Sequence, residues 1–263
     1  RAKSAVMVYQ MNFSQFQFGT ENVESVVNLH LSRGLIGKDF CGILPIRGHS
    51  GVQGGGECGV SPTTLPGSRT VTDETCAEMS ELWGFEVTTQ PGLTTVPMVK
   101  AAHQGDIDFL YNVGGNLLHT MPDPDTVASA MGRVRMRIHQ DIVVNASMLI
   151  DPGEVLLLLP AQTRYEQRGG GTSTSTERRI RFSPEIPDHP QVGEARPEWE
   201  IPCQVVMAAN PELTHAFNYP DAQDIRNEMG KTMPVYAGIE TLRKAGDSIQ
   251  WGGPHLCADG FPN

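Results

Sequence analysis

The chain has 263 residues, 39% of them hydrophobic, with 20 basic against 30 acidic side chains. A compact fold of this size buries roughly 70–75% of its extended-chain surface, so neither disulfides nor a structural metal is needed to hold it. A formal charge of −10 and an aromatic content of 6% leave no basic footprint and few stacking platforms, which argues against nucleic acid as a partner. No apolar run is longer than Val155 to Leu159, far short of the roughly 20 residues of a membrane span, so none is expected. Cysteines at 41, 58, 76, 203 and 257 contain no Cys-x-x-Cys pair. The spacing therefore writes neither a disulfide framework nor a zinc or iron–sulfur site, and reduced thiols in the cytoplasm are the expectation. Arg1 stands where an initiating Met would be, and a strand is expected almost at once, so the chain is read as a fragment.

In chain order, residues 5–9 read as a strand. Val23, Val26, Val27 and Leu31 have helical spacing, with Thr20 as the expected cap and Gly34 as the stop. Residues 34–69 are so rich in glycine and proline that no regular element is expected there, and such a loop is more often functional than idle. Helices are predicted over 74–84 and 99–105, then a buried strand over 107–113, stopped by Gly114-Gly115-Asn116. Asp123-Pro124 supplies a cap and a first-turn proline for a helix to about Gly132. Strands over 134–139 and 155–159 complete a β-α-β-β pattern, so the fold class expected is α/β, with a mostly parallel sheet and covering helices. Beyond Pro160 a loop and linker are expected, followed by helices around 199–209, 221–229 and 237–245.

Three clusters have chemistry worth weighing. In an open α/β sheet, ligands bind at the carboxyl ends of strands, where glycines permit close approach. Gly114-Gly115-Asn116 and Gln140-Asp141 both occupy such ends, and an amide beside a carboxylate can read a ribose or a base edge. A tight turn and a polar strand end explain the same residues, and the full dinucleotide fingerprint is absent. In the loop from Arg47 to Gly56, Arg47 suits a bidentate anion contact and His49 a proton exchange near neutral pH; a loop-internal Arg and a surface His are equally compatible. Gly48-His49-Ser50-Gly51 is not a nucleophile elbow, because Val52 stands where Gly is required. The third cluster, Glu166 to Thr172 leading to Glu177-Arg178-Arg179, suits either phosphates or a solvated hairpin.

Taken in order, Gly34-Leu35-Ile36-Gly37-Lys38, Leu44-Pro45-Ile46-Arg47-Gly48-His49-Ser50-Gly51-Val52-Gln53-Gly54, Gly114-Gly115-Asn116, Gln140-Asp141, Leu159-Pro160-Ala161 and Thr172 to Arg179 resemble the molybdopterin oxidoreductase family. The likeness is to the formate-dehydrogenase-like alpha (catalytic) subunits, and it runs from about residue 3 to 200. It implies Rossmann-like nucleotide-binding lobes and a bis-molybdopterin guanine dinucleotide cofactor carrying Mo or W. It further implies residues 1–48 as the end of one α/β lobe, 49–160 as a second, guanine dinucleotide lobe, and 161–263 as a loop-rich linker with a helical segment. By resemblance, Arg47 and His49 face metal and substrate, and Gly48, Val52, Gln53 and Gly54 line the pterin. Gly114, Asn116, Gln140 and Asp141 contact a guanosine portion, while Thr172, Glu177 and Arg178 close over phosphates or pterin. The family's 4Fe-4S region and its Cys, selenocysteine or Ser metal ligand lie upstream of the part matched, so no metal ligand is expected in this chain. The family commonly reads Arg-Gly-Gln-Asn-Asn-Val-Gln-Gly where this chain reads Arg-Gly-His-Ser-Gly-Val-Gln-Gly. The expected activity is the two-electron oxidation of a small substrate, an anion being the kind that Arg47 suits, by the parent enzyme, with an electron-acceptor protein or subunit as a further partner. The alternative is an inactive α/β cofactor-binding or interaction domain.

Overall fold

A computed structural model of the chain describes residues 2–46, 48–49 and 51–253. Strand β1 (Val6–Gln10), helix α1 (Gly19–Ser32) and strand β2 (Gly42–Ile46) form a β-α-β unit, with Val6 paired to Gly42 in parallel register. Thr20 is not the cap of α1: the helix begins one residue earlier, behind Phe18, with no side-chain cap. Gly34 does end it, with φ +61° and its N–H on the Leu31 carbonyl. The stretch 34–69 is more regular than its composition suggests. It contains β2, helix α2 (Val52–Glu57) and a small hairpin of 64–65 against 69–70. The apolar Ile43-Leu44-Pro45-Ile46 run pairs with β1, and Pro45 is tolerated because, among the described residues, β2 has a partner on one side only.

Helix α3 (Asp73–Trp83) is capped by a reciprocal Thr72–Thr75 box and ended by left-handed Gly84. Helix α4 (Thr95–Gln104) starts four residues before the expected Val99. Strand β3 (Phe109–Val113), helix α5 (Pro124–Arg133), strand β4 (Met136–Asp141) and strand β5 (Val155–Pro160) then build the central unit. Asp123 accepts the Thr126 N–H at 3.0 Å, the cap that Asp-Pro promised. The sheet is parallel throughout, ordered β3-β4-β5, with Tyr111, Ile138 and Leu157 in one row. Helices α4 and α5 cover one face, burying Val99, Ala102, Val127, Ala130, Met131 and Val134 against Leu110 and Ile150. On the other face Phe109, Val113, Val155 and Leu157 remain exposed.

The stretch beyond 160 is not simply loop and linker. Strands β6 (Gly171–Thr174) and β7 (Arg179–Ser183) form an antiparallel hairpin, extended on the β7 side by strand β8 (Ser248–Gln250). Helices α6 (Glu200–Ala209) and α7 (Ala222–Thr232) lie between β7 and β8 in sequence. A second core forms where Ile180 and Phe182 of β7 meet Met233, Tyr236, Ile239 and Leu242. The helix expected over 237–245 is only a 3-10 turn, Ile239–Thr241, set behind Gly238 at φ +101°. Its apolar spacing reflects burial in this core.

Candidate functional site

The carboxyl ends of β3 and β4 carry a connected polar cluster. Gly114 and Gly115 have φ +69° and +79°, and a Cβ at either would meet nothing within 4 Å. The left-handed backbone, not crowding, therefore calls for glycine. The turn crosses to β4, where the Gly114 N–H donates to the Gln140 carbonyl at 2.7 Å. It delivers Asn116 to the start of a one-turn helix, Leu117–Thr120.

Buried Ser147 sets the polarity of Asn116. Its Oγ accepts the Leu118 N–H at 3.0 Å and stands 2.9 Å from Asn116 Oδ1. The single hydroxyl proton therefore goes to Asn116, which turns the amide oxygen inward and leaves Nδ2 as a donor, 3.2 Å from His119 Nδ1. Asn145 performs the matching service for Asp141. Its Nδ2 donates to Asp141 Oδ2 at 3.0 Å and to the Gly115 carbonyl at 3.3 Å, and its Oδ1 accepts the Ser147 N–H at 3.0 Å. Asp141 Oδ1 takes the Ile142 N–H at 2.7 Å, and buried His139 places Nε2 3.5 Å from Oδ2. Asn145 and Ser147, both in the loop after β4, thus hold one amide donor and one carboxylate acceptor at the same sheet end. Neither Asn145 nor Ser147 is among the residues expected from sequence. The only local signal is an Asn-x-Ser that caps the 3-10 turn Ala146–Leu149.

Gln140 lies elsewhere. Adjacent strand residues face opposite sides, so its side chain leaves the Asp141 cluster and is fully buried. Its Oε1 accepts the Tyr111 hydroxyl at 2.6 Å, and its Nε2 donates to the Glu198 carbonyl at 2.9 Å. That amide ties the sheet to the segment ahead of α6. Burial, and after it the Asp141 charge, pushes the Glu198 carboxyl above its ordinary value.

The glycine-rich loop joins a different neighbourhood. Arg47 lies outside the described residues. Gly48 and His49 are exposed, and the His49 carbonyl accepts the Val52 N–H at 3.1 Å. Val52 and Gln53 begin α2, and Gln53 Nε2 donates to Glu57. A Cβ on Gly54 would stand 3.0 Å from Thr174 Oγ1, so glycine here lets α2 lie against β6. Buried Tyr236 closes that contact: its hydroxyl donates to the Glu57 carboxylate and lies 2.9 Å from Thr174 Oγ1. Thr172, two residues along β6, lines a cleft of about 410 Å³ with Glu198, Trp199 and Arg226. Glu177 and Arg178 occupy the β6–β7 turn, away from that cleft. Arg178 adopts φ +63°, caps the Trp251 carbonyl and stacks on the Trp251 ring, while Glu177 pairs with Arg181 at 2.7 Å.

In open α/β sheets ligands bind outside the carboxyl ends of the strands, which is where this parallel sheet carries its glycine turn and its held Asn–Asp pair. The chain belongs to the molybdopterin oxidoreductase family, whose profile matches residues 1–208. It is 33% identical over 251 residues to the F420-dependent formate dehydrogenase subunit alpha of Methanocaldococcus jannaschii, covering 95% of this chain and 35% of that protein. It is 30% identical over 253 residues to the probable oxidoreductase YjgC of Bacillus subtilis, with 95% and 24% covered. A nitrate reductase of Synechocystis is 32% identical over 261 residues, with 95% and 35% covered. The chain thus spans about a quarter to a third of the length of these relatives.

Proposed function

We propose that the chain supplies part of the cofactor cradle of a formate-dehydrogenase-like oxidoreductase, and that the Asn116–Asp141 pair reads the guanine of a bis-molybdopterin guanine dinucleotide. The observation that carries this reading is the fixed polarity of the pair. Guanine presents acceptors at O6 and N7 and a donor at N2, which complement one amide N–H and one carboxylate. Arg164, Trp199 and Arg226, which line the cleft with Thr172, each carry a buried N–H without an acceptor among the described residues, and these suit the same group reaching toward that cleft.

When bound, this cofactor supplies the two-electron redox chemistry at Mo or W, and the protein supplies binding, orientation and electrostatics. Gly114 lets the backbone approach, Asn116 donates and Asp141 accepts. Val52, Gln53 and Gly54 line the pterin side. In the parent protein, which also carries a 4Fe-4S cluster, Arg47 orients a small anionic substrate and exposed His49 moves its proton. Electrons leave to an acceptor protein or subunit.

The test is calorimetric titration of the chain with guanosine and with adenosine. Guanosine should bind more tightly, and Asp141→Ala should weaken it ten- to a hundredfold, the loss of a charged hydrogen bond of about 1.5–3 kcal/mol. Equal affinity for the two nucleosides, or no change in the variant, would sink the reading.

A further inference from the structure

Strand β4 departs from the usual chemistry of its position. A middle strand of a parallel sheet ordinarily reads as an apolar run. Here Arg137, four residues before Asp141 and on the same face, sets a guanidinium between Leu110 of β3 and Leu156 of β5. Arg137 is only 2% exposed, and among the described residues it forms no ion pair. Burying an unpaired cation is costly, so the contacts it makes must offset a large penalty.

Both terminal nitrogens of Arg137 go to one short segment. Nη1 donates to the Ser147 carbonyl at 3.2 Å and Nη2 to the Ile150 carbonyl. These carbonyls lie in and just after the 3-10 turn Ala146–Leu149, where helical acceptors run out of partners and a cation is favoured. Little else holds the segment down: Val143, Val144 and Leu149 are exposed, and within the turn only Ser147 and Met148 are buried. The segment runs back along β4, with Asn145 bonded to Asp141 and Ile150 to Arg137. It also carries Ser147, whose hydroxyl donates to Asn116 Oδ1. A strand rise of about 3.3 Å per residue separates Arg137 from Asp141 by about 13 Å at the backbone. Any effect of the guanidinium on the Asn116–Asp141 pair therefore passes through the turn.

We infer that Arg137 is a positioning residue for that pair: its guanidinium fork pins the Ser147 and Ile150 carbonyls and so fixes where Ser147 and Asn145 meet Asn116 and Asp141. The role rests on the base-reading function proposed above. A planar fork engages two acceptors on one turn in fixed relation, whereas lysine offers a single point charge. Without the fork the turn lifts and the Ser147 hydroxyl leaves Asn116. The amide then turns its oxygen outward as readily as its nitrogen, and discrimination between guanine and adenine fades.

The test uses the full chain with Arg137→Met and Arg137→Lys. Its first readout is amide hydrogen exchange resolved by residue with NMR. The Leu118 N–H stands in the first turn of the helix Leu117–Thr120, where no helical carbonyl is available, and its acceptor is the Ser147 hydroxyl. Its protection therefore reports the position of Ser147. In both variants Leu118 should exchange roughly tenfold faster, while the Val127 and Met131 amides of α5 keep their rates. The second readout is calorimetry with guanosine and adenosine. Guanosine affinity should fall about tenfold in Arg137→Met and the preference over adenosine should shrink, with Arg137→Lys recovering part of each. If Arg137→Met does not fold, Arg137→Lys decides alone. Unchanged Leu118 exchange overturns the role, as does acceleration of Leu118 and the α5 amides by the same factor, or an unchanged preference for guanosine. Absence of guanosine binding by the unmutated chain sinks the base reading instead, and selective acceleration at Leu118 then still assigns Arg137 its hold on Ser147.

Discussion

Replacing Ser147 with alanine tests the polar cluster at its hinge. The side chain is fully buried and serves two partners, the Leu118 N–H at 3.0 Å and Asn116 Oδ1 at 2.9 Å. Alanine leaves both unsatisfied, and a stranded buried group costs about 1–3 kcal/mol. Asn116 and Leu118 are only half buried, so water recovers part of this, and a net loss of about 2 kcal/mol is expected. In a chain of this size about 1 kcal/mol moves Tm by roughly 2–4 °C, so a fall of about 4–8 °C follows. Urea unfolding should show a lower midpoint at unchanged slope, the signature of lost stability without a change in exposed surface. Guanosine affinity should drop as well, because the Asn116 amide is then free to turn its oxygen outward. A loss below about 0.5 kcal/mol with guanosine binding intact would show that the hydroxyl does not hold Asn116.

Burial, and after it the Glu57 charge, pushes the Cys58 thiol up to about 11. Its folded value lies above its unfolded one, so its contribution to stability is complete below about pH 8.5 and is lost as pH rises through the folded value. Stability should fall on the alkaline side, and iodoacetamide at about pH 8.5 should label Cys58 far more slowly in the native chain than in urea; equal rates would contradict the burial. Gly170→Ala should cost more than Gly105→Ala. Both positions have positive φ, worth about 1–2 kcal/mol against a side chain. A Cβ at Gly170 would also lie 2.6 Å from the Ser183 carbonyl and 2.7 Å from the Phe182 ring, whereas at Gly105 it meets nothing within 4 Å. Paired unfolding curves decide this, and the reverse order would refute it.

What could be read in advance divides along the range of the interactions. Helix α5 was legible because Asp123 and Pro124 act within one turn, and the parallel sheet because its strands are apolar runs bounded by glycine and polar residues. The β6–β7 hairpin was legible only as one of two readings, because Gly171 to Thr176 has the composition of a loop and becomes strand by pairing with β7. The alternating Ile180 and Phe182 were the available sign, and their burial against Met233 and Tyr236 depends on residues 51 to 56 positions away. At the candidate site, Asn116 and Asp141 could be located because strand ends are local features. Ser147 and Asn145 could not, since their function exists only once two loops meet over β4. Gln140 shows the converse: adjacent to Asp141 in sequence, it serves the opposite face of the sheet.

The Tyr236–Glu57 hydrogen bond joins residues 179 positions apart. A ribosome delivering the chain from its amino end therefore exposes the glycine-rich loop long before its anchor exists. Through that interval Glu57 lacks the hydroxyl that donates to its carboxylate, and α2 lacks the strand on which Gly54 rests. Non-local closures of this kind are slow because chain entropy is spent before any contact rewards it. The loop bearing His49 thus acquires its native surroundings only after the downstream segment that carries Tyr236 has been made.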